Sequence, residues 1–195
     1  TTQIVLLTEY LKQKGIDVIT LREPGGTDIG EKIRGILLDN RNKGMSPVAE
    51  MLLYAASRAQ LVSTVIKPEL ARNKAVICDR FIDSSLAYQG TGRGLGTENV
   101  WAVNKLAVDD CLPDITFFMD VDADTAMARR DAKGEEADRI ESEKMDFHRR
   151  VYSGYLELSR QDPLRIKRIN VNRSPQEVFA EIRGYVDEFL EKAKG

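Results

Sequence analysis

Four stretches of the chain are apolar almost without interruption: "IDVITLRE", "KAVICDRF", "PDITFFMDV" and "RIKRINV". Each is rich in β-branched residues, and a run that is apolar on both faces predicts a strand covered on both sides, as in a parallel sheet. Between these runs lie helical patterns, each about ten or more residues long. Strands that alternate with helices predict right-handed crossovers and a parallel sheet with helices on both of its faces. The last helix announces itself at "SPQE", with Ser174 as N-cap, Pro175 in the first helical position and Glu177 closing a capping box. The chain opens on "TTQIVLLTEYLKQKG", an amphipathic helix with no N-cap ahead of it.

Composition narrows the class without changing this picture. A chain of 195 residues with 42% hydrophobic and 31% charged residues, 6 Pro and 14 Gly is an ordinary globular sequence of one domain, with neither fibrous nor low-complexity character. The net charge of -2 provides no general basic field, so nucleic acid is not an expected partner and any anionic ligand must be held locally. No apolar run reaches the roughly 18 to 20 residues of a membrane helix, and no leader is visible, which leads to the expectation of a cytoplasmic protein. Cys78 and Cys111 are the only cysteines; Cys78, inside "AVIC", reads as a small buried thiol, and a reduced compartment fits.

In open parallel sheets ligands bind beyond the carboxyl ends of the strands. Those ends are followed here by "REPGGT", "DRFIDSS", "DVDADTAMARR" and "NVNRS", although Gly, Asp and Ser are also ordinary turn residues. Asp79 and Arg80 sit where a strand would deliver an acid beside a phosphate-bound Mg²⁺, or where a helix cap would find a surface partner. Arg58 interrupts the apolar helix "AEMLLYAASRAQLVSTVI", and Tyr54 lies one turn before it. A ring and a guanidinium on one face suit a nucleobase pocket; the plainer reading has Arg58 reaching outward and Tyr54 in the core. "SSLAYQGTGRG" places Ser84, Ser85, Tyr88 and Gln89 on one or two helical turns, ahead of a glycine-rich exit carrying Arg93. Those side chains suit a sugar and a base edge, while the glycines read equally as a flexible turn. "AMARRDAKGEEADR" carries Arg129, Arg130, Lys133 and Arg139, which either close over a triphosphate or form a solvated helix face; composition favours the solvated face. His148 is the sole histidine, so zinc sites and nucleophilic triads are disfavoured.

"LREPGGT", "YAASRAQ", "CDRFIDSSLAYQG" and "GEEADRIE", in this order and spacing, resemble the bacterial thymidylate kinases over nearly the whole chain. The resemblance implies a P-loop NTPase-type three-layer α/β fold, with a five-stranded parallel sheet flanked by helices. It implies a single domain over residues 1–195, a lid segment near 129–143, and a homodimer. The implied reaction is Mg²⁺-dependent transfer of the ATP γ-phosphoryl group to dTMP. By matched position, Tyr54 stacks on thymine, Arg58 bonds the base with Ser84 and Ser85 nearby, and Tyr88 and Gln89 lie against deoxyribose and base. Glu23 and Arg34 line the acceptor site. Arg34 and Arg80 bind the dTMP phosphate, Arg80 doubling as a catalytic residue. Asp79 is catalytic and holds the metal, Lys133 takes the lid position of a catalytic cation that related enzymes carry either there or in the phosphate loop, and Arg129 lies near adenine. The rivals are a related P-loop nucleotide kinase acting on dUMP or a deoxynucleoside, and a nucleotide-binding relative without catalysis.

The same resemblance accounts for the uncapped first helix. A phosphate-binding loop reads G-x-x-x-x-G-K-[ST], between a first strand and the helix it feeds. Thr1 and Thr2 match the end of that motif, Thr1 as a metal-side hydroxyl and both as ATP contacts. The expectation is a fuller protein in which the first strand, the loop glycines and the lysine precede Thr1.

Overall fold

The computed structural model describes residues 2–132, 134 and 136–193. The four apolar runs form four strands, each ending where the charged loop residues begin. β1 (Val18–Arg22) pairs in parallel with β2 (Ala75–Asp79), Val18 opposite Ala75 and Arg22 opposite Asp79. β3 (Thr116–Asp120) pairs in parallel with β4 (Ile166–Asn170), Thr116 opposite Ile166 and Asp120 opposite Asn170. The helices are α1 (Thr2–Gln13), α2 (Asp28–Leu38), α3 (Pro47–Leu61), α4 (Lys67–Leu70), α5 (Ile82–Ser85), α6 (Thr97–Val108), α7 (Ala123–Asp131), α8 (Met145–Gln161) and α9 (Pro175–Lys192).

Side-chain alternation along the strands sorts these elements into layers. Val18, Ala75, Ile77, Phe117, Met119 and Ile169 pack with Leu7 and Leu11 of α1 and with Val178, Ile182 and Val186 of α9. Leu21, Val76, Cys78, Phe118 and Ile166 belong to the other core, with Leu61, Ile82, Val100, Phe147 and Val151 from α3, α5, α6 and α8. The strands thus lie between two helical layers, as their two-sided apolar pattern requires. The capping box at Ser174 forms as read: Glu177 N–H donates to Ser174 Oγ at 3.3 Å and Ser174 N–H to Glu177 Oε2 at 2.9 Å.

Among the described residues the four strands that the sequence reading placed in this chain form two parallel two-stranded ribbons, and no backbone hydrogen bonds join the β1–β2 pair to the β3–β4 pair. Three features depart from the sequence reading. Two stretches that read as plain α-helix are π-helical, Val62–Ile66 after α3 and Leu86–Gly92 after α5. Gly92 of "YQGTGRG" serves packing: a Cβ there would sit 2.7 Å from Val151 Cγ2 and 2.9 Å from Phe147 Cε2, so only glycine lets this turn lie against α8. Cys78 is half-buried and its surroundings push the thiol up to about 12, which leaves it inert at neutral pH.

Candidate functional site

The carboxyl ends of β1 and β2 open into a cleft of about 700 Å³, including its mouth. Four segments build it. The turn after β1 contributes Glu23 and Pro24, with Arg34 and Leu38 from α2 behind them. Tyr54 and Arg58 come from α3, four residues apart on one face, and Arg80, Phe81, Ser84, Ser85, Tyr88 and Gln89 come from the stretch after β2. Asp138, Ile140 and Glu141 close the remaining side.

The "EPGG" turn is specified locally. Gly25 and Gly26 have φ of 124° and 80°, a region that costs side-chain-bearing residues, and a Cβ on Gly25 would stand 2.3 Å from Glu31 Oε1. Glu31 accepts from Gly26 N–H at 2.7 Å and from Arg22 Nη2 at 2.8 Å, and Thr27 caps α2 by accepting from Gly30 N–H at 2.9 Å. Arg34 Nη1 donates to Pro24 O at 3.1 Å. The turn therefore delivers Glu23 into the cleft at a fixed point.

Arg58 is 1% exposed, so it does not reach outward. Its Nε and Nη2 donate to Glu23 Oε2 at 3.0 and 2.6 Å, its Nη1 donates to Asn104 Oδ1 of α6, and its guanidinium lies 5.2 Å from the centre of the Phe81 ring. Burial raises the Glu23 carboxyl above its ordinary range even against the pull of Arg58. Glu23 Oε1 is buried with no hydrogen-bond partner among the described residues, an acceptor left open at the cleft wall. Burial likewise raises the Tyr54 phenol, so its ring is neutral at physiological pH.

Arg80 stands at the mouth in the left-handed region, with φ of 69°, its guanidinium 5.1 Å from the centre of the Tyr88 ring. Tyr88 is braced edge-on by Phe147 and Tyr155, and Ser84 Oγ lies 2.7 Å from Tyr155 OH. α5 itself is moored by buried Asp83, which accepts from Arg165 Nη1 and Nη2 at 2.8 Å each and from Thr116 Oγ1 at 2.7 Å.

All nine residues assigned to the acceptor site line this one cleft: Glu23, Arg34, Tyr54, Arg58, Arg80, Ser84, Ser85, Tyr88 and Gln89. The other assignments fall elsewhere. Asp79 ends β2 with an exposed side chain outside the lining, and its carbonyl accepts from Glu23 N–H at 3.1 Å. Arg129 is exposed on α7 and donates to Asn172 Oδ1 at 3.0 Å, and Thr2 begins α1, also away from the cleft. Thr1 and Lys133 lie outside the described residues. The segment expected to be a solvated helix face is helical only to Asp131; residues 136–143 are non-helical, with Arg139 and Ile140 buried at 4% and 5% exposure. Sequence reading missed Pro24, Leu38, Phe81, Asp138, Ile140 and Glu141 as wall residues. All but Leu38 lie within the quoted motifs, which were the signal available for them.

Parallel strands between helical layers, with a cleft of arginines, tyrosines and hydroxyls at the strand ends, define an α/β protein with a cleft suited to a nucleotide. Comparison with known proteins takes this further. The thymidylate kinase family model matches residues 1–182. The chain is 47% identical over 190 residues to the thymidylate kinase of Symbiobacterium thermophilum, covering 97% of this chain and 88% of that protein. It is 48% identical over 194 residues to that of Caldanaerobacter subterraneus subsp. tengcongensis, covering 100% and 92%. The crystal structure of thymidylate kinase from Ehrlichia chaffeensis superposes with a TM-score of 0.75 at 34% identity, over 95% of this chain and 90% of that one. The chain belongs to the thymidylate kinase family.

Proposed function

We propose that the protein transfers the γ-phosphoryl group of ATP to dTMP, giving dTDP and ADP, and that dTMP occupies the cleft. The observation that carries this reading is the convergence of nine side chains from separate segments on one cleft, with chemistry suited to a deoxynucleoside monophosphate. Tyr54 offers a neutral face for the base. Arg58 and Ser85 supply donors beside it, Tyr88 crowds the sugar where a 2′-hydroxyl would stand, and Arg34 and Arg80 receive the phosphate as charge-assisted donors. The nucleophile is a phosphate oxygen of dTMP, already anionic at neutral pH, so no general base is required. Alignment and neutralisation of charge do the catalytic work, consistent with a cleft rich in guanidinium groups and without histidine.

Mg²⁺ fits the residues present: it is commonly held by one or two carboxylates, with phosphates and water completing its shell. Asp79, exposed at the end of β2, is the carboxylate that would hold it. When bound, the ion would neutralise charge on the ATP phosphates. Arg129, Thr1, Thr2 and Lys133 are assigned to the ATP side by family position. Turnover with ATP across a panel of nucleoside monophosphates tests the reading; dTMP should be the preferred acceptor, and preference for dCMP, dUMP or GMP would reject it.

The protein is further proposed to act in the cytoplasm as a homodimer. Among the described residues no helix is long and apolar enough to cross a membrane. Ile29 and Ile36 of α2, Val48 and Leu52 of α3, and Trp101 and Leu106 of α6 are exposed on helices that pack side by side, an apolar surface suited to a second copy. Leu52→Glu should convert a dimer into a monomer in sedimentation velocity. An undisturbed dimer would place the interface elsewhere.

A further inference from the structure

Behind the cleft, and absent from its lining, lies a fully buried carboxylate. Glu50, in the first turn of α3, is 0% exposed. Its Oε1 accepts from Gln89 Nε2 at 2.9 Å and from Arg93 Nε at 3.0 Å, and its Oε2 accepts from Arg93 Nη2 at 2.8 Å and stands 2.8 Å from Arg139 Nη2. Burial alone would raise this carboxyl, but Arg93, Gln89 and Arg139 hold it below its ordinary range, so it is ionised at neutral pH.

Two of the three partners connect to opposite sides of the cleft. Gln89 is itself a wall residue; with its amide nitrogen bound to Glu50, its oxygen turns away from Glu50 and accepts no hydrogen bond among the described residues. Arg139 belongs to the strap 136–143, whose neighbouring residues Asp138, Ile140 and Glu141 form the opposite side. The strap is fastened to the end of α2 as well: Arg139 N–H donates to Leu38 O at 3.0 Å, Arg139 Nε to Leu37 O at 2.6 Å, and Asn40 Nδ2 to Ala137 O at 2.9 Å. Arg93 adds a second tie, donating to Glu143 Oε1 at 2.6 Å with its guanidinium 4.5 Å from the centre of the Phe147 ring.

We propose that Glu50 is a positioning residue for the acceptor nucleotide: it presents the Gln89 amide oxygen to the cleft and, through Arg139 and Arg93, couples that wall to the strap that closes the other side. The coupling rests on the reading of the cleft as the dTMP site. Gln89, Arg93 and Arg139 share one buried carboxylate, so ordering Gln89 with a ligand orders the strap, and losing that carboxylate uncouples them.

The test pairs calorimetric titration of dTMP and of ATP with hydrogen exchange of strap amides, on the parent protein and on Glu50→Gln, which keeps the shape and removes the charge. In the parent, dTMP should slow exchange over residues 137–143. In Glu50→Gln the dTMP affinity should fall about tenfold with ATP affinity unchanged, and the dTMP-dependent protection of the strap should be lost. Retained protection with unchanged dTMP affinity, or an equal loss for both nucleotides, would overturn the role of Glu50. Absence of dTMP binding by the parent would overturn the reading of the cleft itself, and this proposal with it. Should Glu50→Gln fail to fold, Arg139→Lys keeps a cation near Glu50 while removing the Nε bond to Leu37, and it should lose the strap protection in the same way; full protection there would refute the coupling.

Discussion

Arg58→Ala is expected to lower the unfolding free energy by about 3–5 kcal/mol, because it leaves a buried carboxylate without its cation. Glu23 takes both of its hydrogen bonds from Arg58, and the pair's side chains are only 2% and 3% exposed. The double variant Arg58→Met, Glu23→Gln removes both charges and should be at least about 2 kcal/mol more stable than Arg58→Ala, as removal of a whole buried pair is far milder than removal of half. Urea unfolding of the parent and the two variants decides this. A loss below about 1 kcal/mol for Arg58→Ala would mean that the ion pair is not what holds Glu23 in place. The dTMP affinity of Arg58→Ala should fall too, but stability is the larger effect, so binding must be measured where the variant is folded.

Arg80→Gly should separate function from fold in the opposite sense. Arg80 adopts φ of 69° at the cleft mouth, a conformation that glycine enters freely and arginine does not. The variant should be about as stable as the parent, since relief of the left-handed φ, worth about 1–2 kcal/mol, is opposed by the freedom glycine gives the unfolded chain, about 0.5–1 kcal/mol. Its kcat/KM for dTMP should nonetheless fall by about 10²–10³, the usual loss when a donor to transition-state charge is removed. The KM for ATP should change little. A stable variant with near-parental activity would show that Arg80 does not receive the phosphate, and a strongly destabilised one would show that its contact with Tyr88 is structural. The left-handed φ at this position is itself informative, because a strained arginine at a strand end is tolerated where its side chain is needed.

What was legible in the sequence divides along a physical line. Each strand carried its own signal in a local apolar run, and the start of α9 at Ser174 carried its signal in an N-cap followed by proline. Eight of the nine cleft residues were legible because they stand in the motifs that carry the family resemblance; Arg34 lies outside them. Partners far apart in the chain were not. Glu23 is 35 residues from Arg58, and Asn104 is 46; nothing near Arg58 says which group neutralises it. Glu50 reads as an ordinary acid in the first turn of a helix, where the helix dipole favours it, and only the folded chain shows Gln89, Arg93 and Arg139 gathered around it. The strap misled for a related reason: its charged composition suits a solvated face, whereas Arg139 is buried because a carbonyl and a carboxylate await it. The π-helical turns at 62–66 and 86–92 have no distinct side-chain periodicity and emerge only from packing against their neighbours.

The central claim is that the cleft holds dTMP, and calorimetric titration of dTMP into the parent and into Arg80→Gly tests it most directly. One dTMP should bind per chain, with a dissociation constant in the range of about 1 μM to 1 mM typical of enzyme substrates, and Arg80→Gly should weaken that binding at least about tenfold while remaining fully folded. Absence of dTMP binding by the folded parent, or binding that Arg80→Gly leaves unchanged, would contradict the account.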